Sequence, residues 1–126
     1  MAKHFDINVA KKYGTTRITH VAPDAFQNSK CIVSVVLHST EIVRLDRRNN
    51  IVTLNSGGWR TVTTKADINT ALRQIPAYDG WFLASKKGEW FLEHSATGKR
   101  IEFYDGITLG GGAGLPVQVI SNRKAA

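Results

Sequence analysis

A chain of 126 residues, 42% hydrophobic and 21% charged, has the make-up of one ordinary globular domain and buries a core without staples. Its formal charge of +7, from 17 Lys and Arg against 10 Asp and Glu, either attracts polyanions such as nucleic acid and acidic protein faces or serves solubility alone. A lone cysteine, Cys31, excludes an internal disulfide and a cysteine-built zinc site, and no stretch approaches the roughly 18 apolar residues of a membrane span.

Residues 1–29 are weakly periodic, and their N-terminus lacks the apolar segment of a signal peptide. They read as an arm packed on the domain through Phe5, Val9, Ile18 and Phe26. A helical turn or two is expected over Ile7 to Tyr13, and a short strand over Arg17 to Val21. From Cys31 to Leu37 the chain is apolar and β-branched, the pattern of a buried strand, and Cys31 reads as an inert buried thiol. Thr40 to Leu45 continues extended, Asp46-Arg47-Arg48-Asn49-Asn50 turns, and Ile51 to Leu54 returns as the partner strand.

Asn55-Ser56-Gly57-Gly58 breaks the pattern, and Trp59 to Thr63 looks extended again. Thr64 then suits an N-cap, with Asp67 at the third helical position. Ile68, Ala71, Leu72 and Ile75 repeat at helical spacing, and Pro76 stops the run. The spacing predicts a helix over about 65–75, too short to stand without docking on a sheet. Trp81 to Ser85 and Glu89 to Glu93 form a hairpin about Lys86-Lys87-Gly88, with Trp90 and Leu92 on its apolar face. Arg100 to Tyr104 alternates, with Ile101 and Phe103 facing in, and Asp105-Gly106 turns into Ile107-Thr108-Leu109. Gly110 to Gly114 reads as a flexible linker, ahead of a tail with an edge strand at Val117 to Ile120.

The predicted class is α+β. Antiparallel hairpins over about 31–54 and 81–104 carry one short helix on one face. The expected layout is an arm over 1–29, a core domain over 30–109, and a linker with tail over 110–126.

No catalytic constellation with diagnostic spacing is present, and His4, His20, His38 and His94 have no metal-ligand spacing. The expectation is a protein without catalytic residues, metal or cofactor. Glu89 and Glu93 share one strand face, where cross-strand charge pairing is expected ahead of acid–base work. Two candidate sites stand out. The first is Asn55, Gly57, Gly58, Trp59, Thr61, Thr63, Thr64 and Asn69. Glycines and a helix N-terminus there offer N–H groups to an anion, or form only a turn with a buried tryptophan. The second is the set of basic turn clusters: Arg44, Arg47 and Arg48; Lys86 and Lys87; Lys99 and Arg100, with Arg60 and Lys65 bracketing the helix start. These either contact phosphates, with Phe91 and Tyr104 as stacking surfaces, or simply solvate turns and sheet edges. A meander sends alternate turns to opposite ends, which argues against one continuous patch.

Leu54-Asn55-Ser56-Gly57-Gly58-Trp59, the following threonines with Asn69, the Lys87-Gly88-Glu89-Trp90-Phe91 hairpin and the Phe103-Tyr104-Asp105-Gly106 turn resemble a family of small uncharacterised tailed-bacteriophage proteins. The resemblance spans roughly residues 35–109. It implies a phage accessory protein in the host bacterial cytoplasm, of a kind that binds DNA or RNA or disables a host or defence protein. The leading expectation is non-enzymatic nucleic-acid binding through the basic clusters. An inhibitor or adaptor of a host protein, or a binder of a small anionic nucleotide at Gly57-Gly58, are the alternatives.

Overall fold

The computed structural model describes residues 14–19, 21, 26, 31–47, 49–58, 60–112 and 115–120. Their strands are β1 (Thr15–Ile18), β2 (Ile32–Leu37), β3 (Thr40–Asp46), β4 (Ile51–Leu54), β5 (Trp81–Lys86), β6 (Glu89–His94), β7 (Arg100–Glu102), β8 (Ile107–Gly112) and β9 (Leu115–Val119). Between β4 and β5 come helix α1 (Val62–Arg73) and a 3-10 turn at Pro76–Tyr78.

The predicted α+β class holds, with the strands divided between two sheets. One has six strands in the order β1-β2-β3-β4-β8-β9, and the other is the meander β5-β6-β7. All pairings are antiparallel except β1 with β2. Both expected hairpins form, β2–β3–β4 and β5–β6–β7. The strand after Gly106 leaves the second hairpin and returns to β4, Leu54 opposite Ile107 and Val52 opposite Leu109.

Helix α1 packs on β5 and reaches β3. Ile68, Ala71, Leu72 and Ile75 are buried, as their spacing predicts, against Val43, Leu54, Leu83, Leu92 and Ile107 in one core shared by the two sheets. The helix starts earlier than expected. Thr61, not Thr64, is the N-cap: its backbone is extended (φ −103°, ψ 164°) and its Oγ1 accepts from the Thr64 N–H at 3.2 Å. Thr64 is instead a buried first-turn residue, its hydroxyl 3.0 Å from that of Thr61. At the far end Ile75 is extended ahead of Pro76, as a residue before proline prefers.

Three further expectations change. Gly110–Gly112 belongs to β8 and pairs with β9, so this run is strand and not linker. Gly110 is buried under Ile120, whose side chain would lie 3.2 Å from an added Cβ and would have to shift to admit one. The N-terminal strand is Thr15–Ile18 and not 17–21, and Ile18 and Phe26 do enter the core. Cys31 is only half-buried, its Sγ 3.9 Å from Asp46 Oδ1. The helical turn expected over 7–13, with Phe5 and Val9, lies outside the described residues.

Tyr78 ties the layers together. Fully buried, it directs its hydroxyl at the carbonyls of Asn50, in the β3–β4 turn, and Leu109, in β8, the latter at 3.0 Å. Burial pushes its phenol far above its usual range, so it stays a neutral donor.

Candidate nucleic-acid interface

Strand polarity sorts the turns into two poles. The β2–β3 turn, the 55–61 loop, the start of α1 and the β5–β6 turn meet at one pole. There one cleft joins Leu37, His38 and Thr40 to Thr61, Thr63 and Thr64, and a second joins Arg60, Thr61 and Lys65 to Ser85 and Gly88. The β3–β4 turn and the β6–β7 turn lie toward the other end, beyond the C-terminus of α1, where Tyr78 meets Asn50 and Gly80 meets His94 and Ser95. Six residues of extended chain separate the ends of β5 and β6, roughly 17 Å at about 3.3 Å per residue.

This layout divides the predicted basic residues. Arg60, Lys65, Lys86 and Lys87 share the pole at the helix start. The exposed Arg60 guanidinium carbon sits 5.3 Å from the Phe103 ring centroid and 5.7 Å from that of Trp90, held by two aromatic faces. Lys65 Nζ donates to Ser85 Oγ at 2.9 Å across the second cleft, of about 190 Å³. Lys86 and Lys87 ride on the β5–β6 turn, where Lys87 (φ 53°) and Gly88 (φ 80°) adopt the paired left-handed conformation of a tight hairpin. Among the described residues no carboxylate lies within ion-pair distance of these four cations.

The other predicted cations sit elsewhere. Arg47 lies at the opposite pole, with its guanidinium 3.4 Å from the Phe26 carbonyl. Arg100 forms a 2.9 Å ion pair with Glu93 and stacks 5.1 Å from the Phe91 centroid. The expected cross-strand charge pairing is therefore present for Glu93, and Phe91 is covered by Arg100. Lys99 neighbours it in the β6–β7 turn. Arg44 stands mid-strand on β3, its Nε 3.9 Å from Glu41, which in turn accepts from Ser34. Arg48 lies outside the described residues, as does Trp59.

The glycine loop is arranged differently from the expected anion cradle. Asp105 accepts from the Ser56 N–H at 2.8 Å and the Ser56 hydroxyl at 2.6 Å. Asn55 Oδ1 accepts from Gly57 N–H at 2.8 Å, and Ser56 Oγ from Gly58 N–H at 3.2 Å. The loop therefore satisfies three successive N–H groups from its own side chains and from Asp105. Gly57 is required by its φ of 63° and by Thr40, whose Cγ2 lies 2.6 Å from where a Cβ would stand. Asn69 serves the fold. Its amide donates to the Leu83 carbonyl at 3.1 Å and accepts from the Leu83 N–H at 2.6 Å, closing the free edge of β5.

Sequence reasoning missed the larger cleft, of about 420 Å³, lined by Leu37, His38, Thr40, Ile42, Ser56, Thr61, Thr63 and Thr64. Three of its lining residues, Thr61, Thr63 and Thr64, belong to the predicted loop site, but nothing local in the sequence shows their meeting with Leu37, His38, Thr40 and Ile42. His38 (φ 49°) and Ser39 (φ 71°) form the β2–β3 turn in left-handed backbone, where Asn and Gly are the usual occupants.

No group of three or more His, Cys, Asp or Glu among the described residues is arranged to hold a metal ion. No helix among them is long and apolar enough to cross a membrane. Compared with known proteins, the chain matches the family model described as Kyanoviridae Gp96 protein over residues 4–110. That match includes every segment of the phage resemblance and extends through the N-terminal arm. No curated protein and no solved structure matches.

Proposed function

The chain belongs to the Kyanoviridae Gp96 family, a family of phage proteins, and from that premise we propose that it is a non-enzymatic accessory protein that binds nucleic acid through one pole of the domain. The observation that carries this reading is that Arg60 and Lys65 line one cleft and Lys86 and Lys87 sit on the hairpin turn beside it, with no carboxylate in ion-pair reach of the four among the described residues. Arg44 and Arg100, by contrast, face glutamates. Unneutralised cations beside a helix N-terminus favour phosphate, both by charge and by dipole. Stacking on Trp90 and Phe103 lets Arg60 meet a phosphate with little ordering cost.

The test is fluorescence anisotropy of labelled DNA and RNA in low-salt buffer. Binding that weakens steeply with added salt supports the reading. Absence of binding, or affinity indifferent to salt, removes it. The same cations suit an acidic host protein, the second reading. A pull-down from bacterial lysate with and without nuclease separates the two, because a protein partner survives digestion and a nucleic acid does not. A free nucleotide anion held by the Gly57-Gly58 loop has less support, because Asp105, Asn55 and Ser56 already occupy its N–H groups.

A further inference from the structure

The cation cleft and the 420 Å³ cleft are neighbours, and Thr61 lines both. Their chemistries differ. One carries Arg60 and Lys65. The other has hydroxyls from Thr40, Ser56, Thr61, Thr63 and Thr64 above an apolar floor of Leu37 and Ile42, and among the described residues lining it the only titratable side chain is His38. A ligand spanning both must be neutral, flat-sided and hydrogen-bonding in one part and anionic in the next. A nucleotide unit has that form, with base and sugar in the first part and phosphate in the second.

From this juxtaposition we infer that the hydroxyl cleft receives one unpaired nucleotide of a single strand whose phosphates run across Arg60, Lys65, Lys86 and Lys87, an inference that rests on the nucleic-acid reading above. The volume lies within the roughly 300–1,000 Å³ of small-ligand sites. A duplex keeps its base faces stacked and offers this cleft nothing, whereas a single strand turns a base outward. The His38 imidazole at the turn supplies a stacking face. The hydroxyls of Ser56, Thr61 and Thr64 are bonded to Asp105 and to each other, which leaves those of Thr40 and Thr63 to face a base; a hydroxyl donates or accepts equally, so the cleft tolerates any of the four bases.

The experiment measures anisotropy of a labelled single-stranded oligonucleotide and of its own duplex at one low salt concentration. Wild type is compared with Thr63→Trp and His38→Asn. Thr63 is exposed and is not the cap, so tryptophan fills the cleft without disturbing the core. Asparagine keeps the left-handed turn while removing the ring. The wild type is expected to prefer the single strand about tenfold, the size of one base stacked. Thr63→Trp brings that ratio close to one, and His38→Asn lowers it several-fold. Equal, salt-sensitive binding of strand and duplex overturns the cleft assignment and leaves electrostatic binding standing. A ratio unmoved by Thr63→Trp does the same. Failure of either nucleic acid to bind removes the nucleic-acid reading, and this inference with it.

Discussion

Replacing Asn69 with leucine tests whether this residue holds the fold or a ligand. The side chain is half-buried between α1 and β5, and leucine keeps its branched shape and its number of heavy atoms. What is lost is the pair of bonds to Leu83, whose N–H and carbonyl point off the free edge of β5. Leu83 itself is 2% exposed, and the leucine that replaces the amide would shield these groups from water. A net hydrogen bond contributes about 1 kcal/mol, and a buried group left unpaired costs about 1–3 kcal/mol. For two groups with partial access to water the expected loss is about 2–4 kcal/mol. At roughly 4 °C per kcal/mol for a domain of this length, Tm falls by about 8–16 °C. Circular dichroism melts and urea titrations read the change. Below its Tm the variant retains wild-type affinity for nucleic acid, because the amide faces β5 and not either cleft. A stability change within 0.5 kcal/mol, the ordinary scatter of surface substitutions, or a selective loss of binding without loss of stability would refute the reasoning.

Two other substitutions probe the joints around the pole. Tyr78→Phe removes the hydroxyl directed at Asn50 and Leu109 and should cost about 1–2 kcal/mol in urea denaturation, with the fold retained. Gly57→Ala meets both left-handed strain and Thr40, whereas Gly58→Ala meets strain alone at φ 83°, with nothing within 4 Å. The first should cost about 2–4 kcal/mol and the second about 1–2 kcal/mol. Equal losses at the two glycines would mean that Thr40 yields freely.

The parts of this fold that rest on neighbours in sequence were legible from it. The Ile68-Ala71-Leu72-Ile75 stripe, the Trp90 and Leu92 alternation, and the tight turn at Lys87-Gly88 each follow from a few adjacent residues. The helix start was misplaced because Thr61, Thr63 and Thr64 are all competent caps, and the choice among them is made by tertiary packing that buries Thr64. Pairing of β4 with β8 joins residues more than 50 positions apart, and no local period encodes that register. Gly110–Gly112 has no side-chain alternation to read, so a strand resembled a linker. The candidate interface was half visible. Its cations were identifiable as turn and helix-start residues, and hairpin parity already implied two ends. Their gathering about α1 needed the two sheets to share one core. The internal use of the loop's N–H groups depended on Asp105, distant in sequence and read only as a turn residue.

The central claim is that one pole, and not net charge in general, meets phosphate. The salt dependence of single-strand affinity tests it most directly, compared among wild type, Lys65→Gln/Lys86→Gln/Lys87→Asn, and the opposite-pole variant Arg47→Gln/Lys99→Gln. With four phosphates neutralised, the slope of log K against log salt is about −3, at roughly −0.7 per phosphate. The triple variant should reduce it to about −1, and the opposite-pole variant should leave it unchanged. Equal effects from the two variants, or a slope that the triple variant does not alter, would contradict the assignment of binding to this pole.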